Sequence, residues 1–304
     1  MTLDILAIGE PLMEFAEQPD GRYLPGFGGD TSNCAIAAAR LGARSGYLSA
    51  VGDDAFGQRF LDLWDREGVN RSHVLVRPGV PTGLYFISYG PQGHQFSYRR
   101  AGSAASRMAP GEVPADAIAS ARILHASGIS QAISDSACDS VFHAIATARG
   151  CGVTVAYDTN LRLSLWPLDR ARAIIHAATA RADIVLPGVD DARQLLGKDL
   201  SADAICDFYL GQGAKIVALT LGADGALVAT PERRQPIAAR RVASLDATGA
   251  GDTFDGAFLT EWLRTGDPFR SGVYANAAAA LSTLGQGAVA PMPKREAVEA
   301  FLAG

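Results

Sequence analysis

The strongest constraint on this chain is its alternation of short apolar runs with longer amphipathic ones. Residues 3–8, 45–51, 123–126, 153–157, 184–186 and 216–220 are apolar and of strand length. Between them, residues 32–41, 56–67, 134–149, 170–180 and 202–212 read as helices, with Phe60, Leu61 and Trp64 at helical spacing. Repeated β-α-β units predict an α/β fold, a doubly wound and mostly parallel sheet with helices on both faces. Residues 74–77, 84–89 and 95–99 break the pattern, with Pro-Gly and Gly-rich turns between short β-like runs. They read as an antiparallel insertion, expected at the C-terminal edge of the sheet, where such folds bind ligands. Residues 225–229 and 235–240 read as a strand pair, and two or three helices finish the chain.

Composition narrows the function. The 304 residues fit two domains or one large α/β domain. The chain is 48% hydrophobic and 19% charged, as in a soluble globule. Its net charge of −5, with no basic patch, argues against nucleic acid or an anionic membrane as partner. An anionic ligand then needs locally placed arginines. Cys34, Cys138, Cys151 and Cys206 show no metal or redox spacing and read as reduced, which points to the cytoplasm. The start Met1-Thr2-Leu3-Asp4 has no basic stretch, and no apolar run is long enough to span a membrane. The alanine-rich residues 275–290 read as a packed helix and loop.

The segment Asp246-Ala247-Thr248-Gly249-Ala250-Gly251-Asp252 opens directly into an apolar helical run through Phe254, Ala257, Phe258 and Trp262. Glycines around Ala250 permit close backbone approach, and a helix start offers free N–H groups and a positive dipole end. Together these make an anion hole. Asp252 would repel an anion there, unless it takes a proton from the group that attacks it. The alternative is that Asp252 caps or complements the helix start.

Other clusters each carry two readings. Gly28-Gly29-Asp30 with Asn33 is a loop ending in a helix cap, or a contact for vicinal hydroxyls. In Tyr98-Arg99-Arg100 the arginines protect a sheet edge, or Arg100 is a fork for carboxylate or phosphate. Asp158, Asn160 and Arg162 alternate after a strand, so their side chains can share one direction; an Asx turn explains Asp158 but not Arg162. Thr220 to Gly225 is accounted for by a hairpin turn. His73, His94, His125, His143 and His176 show no ligand spacing. Asp190-Asp191 is a helix-start pair or a water-mediated metal contact.

In order and separation, Gly28-Gly29-Asp30…Asn33 and Asp246-Ala247-Thr248-Gly249-Ala250-Gly251-Asp252 resemble the two motifs of the ribokinase-like (phosphofructokinase-B family) sugar kinases. The resemblance covers essentially the whole chain. It implies one kinase domain over residues 1–304, with a β lid from about residues 11–27 and 74–102. Gly9-Glu10-Pro11-Leu12-Met13, Tyr98-Arg99-Arg100 and Asp158-Thr159-Asn160-Leu161-Arg162 are similar to the family's 2-keto-3-deoxygluconate kinases.

On that likeness, ATP donates its γ-phosphoryl group to the sugar's terminal hydroxyl, with Asp252 as base and Gly249, Ala250 and Gly251 as anion hole. Gly28, Gly29, Asp30, Asn33, Tyr98, Arg100 and Arg162 would meet the acidic sugar. Asn160, Arg162, Thr220, Gly222, Gly249, Gly251 and Asn276 would meet the nucleotide. The resemblance also implies Mg²⁺, a monovalent cation such as K⁺, and a homo-oligomer. Gly188-Val189-Asp190-Asp191 departs from the family's Asn-x-x-Glu, so the metal ligands stay unassigned. Ala247 replaces the usual Thr, and Gly285-Gln286-Gly287-Ala288 shows no counterpart of the subfamily's C-terminal contact to an acidic sugar. The rivals are a fructokinase or another sugar kinase of the family, and a non-catalytic binder on the same fold.

Overall fold

The computed structural model describes residues 2–90, 93–197 and 199–304. Met1, residues 91–92 of the expected lid, Lys198, and the side chains of Tyr89 and His94 lie outside the described residues. The strands are β1 (Leu3–Ile8), β2 (Leu12–Glu17), β3 (Tyr23–Gly28), β4 (Ser45–Gly52), β5 (Asn70–Arg77), β6 (Leu84–Gly90), β7 (Gly93–Arg99), β8 (Ala121–Ser127), β9 (Thr154–Asp158), β10 (Ile184–Leu186), β11 (Ile216–Thr220), β12 (Gly225–Ala229) and β13 (Arg234–Ala238).

The main sheet runs β13-β12-β11-β10-β9-β8-β1-β4-β5. From β5 to β11 every pairing is parallel; β12 and β13 add an antiparallel hairpin edge. The chain moves outward from β1 to β4 and β5, then returns to start the other half at β8, beside β1. The C-terminal ends of β1 and β8 therefore flank a topological switch point, where open α/β sheets form crevices.

Strand alternation feeds two cores. Leu6 and Ile8 of β1, with Val217 and Leu219 of β11, pack against the helices Asp135–Gly150, Leu168–Thr179 and Ala202–Gly211. Ile5, Ile216 and Ala218 face the helices Asp30–Arg40, Ala250–Thr265 and Pro268–Ser282. Phe60 and Trp64, on the helix Ala55–Glu67, are fully buried as their spacing predicts. The Trp64 indole donates to Ser32 Oγ at 3.0 Å, which satisfies its polar atom inside the core. His125 is also buried, and desolvation pushes its imidazole down to about 4, so it is a neutral core residue. Cys34, Cys138 and Cys206 are buried and Cys151 is exposed; all four are free thiols. No helix among the described residues is long and apolar enough to cross a membrane.

The second sheet, ordered β3-β2-β6-β7, corrects the expected insertion twice. Residues 74–77 are not part of it. They end β5, which pairs parallel with β4, Val74 lying opposite Ser49. β5 is an edge strand, so its polar first half (Asn70, Arg71, Ser72, His73) is tolerated and hides the strand in the sequence. The small sheet is also mixed, because β2 and β6 pair in parallel between two antiparallel hairpins.

Gly256 marks where the helix Ala250–Thr265 crosses the helix Asp30–Arg40. A Cβ there would come 2.6 Å from the Cys34 carbonyl and 2.8 Å from Ala37 Cβ. Gly256→Val is expected to force the helices apart and cost about 1–3 kcal/mol, read as a lower Tm in thermal unfolding. Gly211→Ala, where an added Cβ meets nothing within 4 Å, should leave Tm unchanged or raise it.

A candidate active site at the strand ends

A cavity of about 800 Å³ opens at the C-terminal ends of the central strands, beneath the small sheet. Both glycine motifs of the sequence reach it. The helix Ala250–Thr265 starts at Gly249, whose φ of 75° is left-handed. A Cβ on Gly249 would lie 2.9–3.0 Å from atoms of Ala288, whereas one on Gly251 would meet nothing within 4 Å. Gly249 is thus demanded by the protein, and Gly251 borders open space. No side chain caps this helix, so its start keeps the donors that an anion hole needs. One expected donor is otherwise engaged: Ala250 N–H turns back to the Ala247 carbonyl at 3.1 Å. The turn itself is clasped by Asp246. Its carboxylate accepts from Thr248 N (2.9 Å), Thr248 Oγ1 (2.6 Å) and Gly287 N (2.8 Å).

Asp252 makes no cap to its own helix. It accepts instead from Asn33 Nδ2 at 2.8 Å, across 219 positions of sequence. Burial pushes its carboxyl up to about 7, the Asp30 charge adds to this, and the Asn33 hydrogen bond and Arg162 oppose it. A base poised near neutrality is the chemistry this environment provides.

The first glycine motif is fixed by packing. Gly29 has φ 104°, and a Cβ on it would come 2.3 Å from the Glu10 carbonyl. A Cβ on Gly28 would come 2.7 Å from the Tyr85 hydroxyl, which in turn donates to buried Glu14. Asp30 opens the next helix without capping it. Its Oδ2 accepts from Asn160 Nδ2 at 3.0 Å. Asp30 Oδ1 and Asn33 Oδ1 are buried and make no hydrogen bond within the protein. Both residues line the cavity, which suits them to accept from ligand hydroxyls.

Asp158, Asn160 and Arg162 also line the cavity, but not by strand alternation. β9 stops at Asp158, whose Oδ1 accepts from Asn160 N at 3.0 Å. Asn160 then turns at φ 26°, an Asx-type reversal. Arg162 is half exposed, donates to the Leu161 carbonyl and lies 3.9 Å from Asp191. Asp191 accepts from Leu161 N at 2.8 Å, so it tethers this loop. Thr220 and Gly222 border the cavity after β11. Asn276 does not: its amide donates to the Ala238 carbonyl at 2.9 Å, tying the helix Pro268–Ser282 to the end of β13.

Tyr98 and Arg100 enter from the end of β7. Arg100 is buried rather than an exposed edge charge. Its Nε donates to Glu10 Oε2 at 2.8 Å, its Nη2 touches the same oxygen at 2.5 Å without hydrogen-bond alignment, and its carbon lies 5.4 Å from the Tyr98 ring centre.

Sequence reasoning placed Glu10 only within the Gly9–Met13 likeness and gave it no role of its own. It also passed over Asp255. That residue lies three positions after Asp252 on one helix, a spacing that puts both on one face. The Asp255 and Asp158 carboxyls share a hydrogen bond, and burial pushes both well up. The pair therefore holds a proton more readily than an exposed carboxylate does.

Fold and cavity together define a ribokinase-like small-molecule kinase: a doubly wound sheet, a small covering sheet, and a glycine turn carrying a carboxylate of raised pKa. The sequence profile described as pfkB family carbohydrate kinase matches residues 4–295. The chain is 36% identical to 2-dehydro-3-deoxygluconokinase of Thermoproteus tenax, over 98% of this chain and 94% of that one. It is 34% identical to 2-dehydro-3-deoxygluconokinase of Bacillus subtilis, over 99% and 96%. A double mutant of Vibrio cholerae fructokinase, bound to fructose, ADP and potassium, superposes with a TM-score of 0.88 at 28% identity, covering 99% of each chain. The chain belongs to the pfkB family of carbohydrate kinases.

Gly249→Ala should cost about 1–3 kcal/mol through the left-handed backbone and the contact with Ala288. Gly251→Ala should leave thermal stability in place. Equal Tm shifts for the two variants would contradict the geometry.

Proposed function

We propose that the protein transfers the γ-phosphoryl group of ATP to the terminal hydroxyl of 2-keto-3-deoxygluconate, giving the 6-phosphate. The observation that carries the acid is Arg100, a buried cation in the cavity wall. A neutral sugar has less use for it. The two 2-dehydro-3-deoxygluconokinase relatives support the same substrate.

The cavity has room for a nucleotide and a sugar together, and the uncapped helix start suits a phosphate. Among the described residues no group of three His, Cys, Asp or Glu could hold a metal ion. That donor set fits Mg²⁺ carried on the triphosphate with its waters, not caged by protein. Bound Mg-ATP supplies the phosphoryl group and part of the charge neutralisation. Both oxygens of Asp246 are engaged by the loops it joins, and no seat for K⁺ is singled out.

The chain's own residues do the rest. Asn33 holds Asp252, which takes the proton from the attacking hydroxyl. The N–H groups of Gly249 and Gly251 stabilise charge on the transferred group. Asp30 Oδ1 and Asn33 Oδ1 accept from sugar hydroxyls. Arg100, against Tyr98, faces the substrate carboxylate. Arg162, Thr220 and Gly222 border the nucleotide side. A non-catalytic binder would gain nothing from the Asp252 carboxylate at a helix start. Fructose is the rival substrate, and the charge compensation of Arg100 by Glu10 favours it. A substrate panel coupled to ADP release decides between them.

Asp252→Asn should lower kcat by roughly 100-fold or more with little change in nucleotide affinity. A raised carboxyl is protonated, and useless as a base, below its pKa. Wild-type kcat/KM should therefore fall about ten-fold per pH unit below about 7. A rate independent of pH through that region, or wild-type turnover by the Asn variant, would remove Asp252 from the reaction.

Arg100→Ala should lower kcat/KM for the acid by roughly 10- to 200-fold, the range of one charged hydrogen bond. The neutral counterpart 3-deoxyfructose, with an alcohol in place of the carboxylate, should lose far less. Equal losses on both substrates would make Arg100 a structural residue of the small sheet.

A further inference from the structure

Glu10 follows β1 and is 2% exposed, yet it lines the cavity beside Arg100. One oxygen accepts from Arg100 Nε at 2.8 Å, and the other accepts from Ser103 Oγ at 2.6 Å. The backbone of Gly83 closes one side of the carboxylate: a Cβ there would come 2.9 Å from Glu10 Oε1. Both oxygens are thus held by Arg100 and Ser103 at the cavity wall. Glu10 takes one side of the Arg100 fork, and the planar guanidinium still has donors for a second acceptor.

We propose that Glu10 sets the charge preference of this site: its carboxylate and an acidic substrate compete for Arg100, and the acid is accepted when Glu10 takes up a proton. A neutral sugar meets a pair without net charge and needs no such exchange. The proposal rests on the reading that Arg100 faces the substrate.

The electrostatics agree with the geometry. Burial already pushes the Glu10 carboxyl up, while Arg100 and Ser103 oppose this and the Asp30 charge adds to it. Three ionisable groups face it from the elements packed around it. Arg100 comes from the end of β7, Asp30 from the start of its helix, and Tyr47 from β4. Burial keeps the Tyr47 phenol neutral, so Arg100 is the one cation among these groups, and it opposes the rise at Glu10. A substrate carboxylate on that cation brings a like charge close and raises the proton affinity of Glu10 further.

Glu10→Gln tests this, since it keeps the shape, its amide oxygen can accept from Arg100 and its NH2 can donate to Ser103 Oγ, and it carries no charge. KM is measured for 2-keto-3-deoxygluconate and for 3-deoxyfructose in wild type and variant. The ratio of KM for acid over neutral sugar should fall by about ten-fold or more in the variant, as expected when a like charge is removed. Wild-type protein should also take up a proton on binding the acid and none on binding 3-deoxyfructose, by calorimetry in two buffers of different ionisation heat. That uptake should vanish in Glu10→Gln. An unchanged KM ratio, or acid binding by wild type without proton uptake, overturns the proposal. If the variant does not fold, the wild-type calorimetry alone decides. Failure here is separable from failure of the substrate reading: equal losses in Arg100→Ala sink that reading, whereas a selective loss there with no proton uptake sinks only the role of Glu10.

Discussion

The site depends on one close helix crossing. The helices Asp30–Arg40 and Ala250–Thr265 come from opposite ends of the chain and meet with Gly256 against the Cys34 carbonyl. Only a residue without a side chain permits that approach. Because the helices touch there, Asn33 reaches Asp252 near their N-terminal ends. The hydrogen bond opposes the burial that raises Asp252, and it fixes the direction of the carboxylate. The two glycine motifs are thus registered to each other through the core, not through the loops that carry them.

Crowding of like charge is the second theme. Burial first, and then the charges of Asp30 and of one another, push the carboxyls of Asp158, Asp252 and Asp255 up. Such a cluster costs folding free energy whenever it is fully ionised. The protein gives some members donors: Asn33 to Asp252, Asn160 to Asp30. Arg162 is half exposed at the rim and opposes the rise at Asp252.

Much of the fold was legible because central parallel strands are apolar on both faces. Residues 184–186 and 216–220 were read with the bounds that β10 and β11 show. β5 was misplaced because an edge strand may be polar, and a pairing partner is not written in a strand's own residues. The glycine motifs were legible because backbone geometry demands glycine at Gly29 and Gly249. The contacts that tune the site were not. Glu10 meets Arg100 across 90 positions, and nothing local announces such a pair. Asn276 was placed at the nucleotide by likeness alone, while its amide is spent on the Ala238 carbonyl.

The small sheet is assembled from two separate excursions of the chain, 12–28 and 84–99, joined by the parallel pairing of β2 with β6. Each excursion re-enters the main body at a residue of the cavity wall. β3 ends at Gly28, two positions before Asp30, and β7 ends at Arg99, next to Arg100. Mechanically, the sheet is a flap whose two roots lie in the cavity wall. A sugar that grips Asp30 and Arg100 together would pin both roots at once, so the stiffness of the cover would report what lies beneath it.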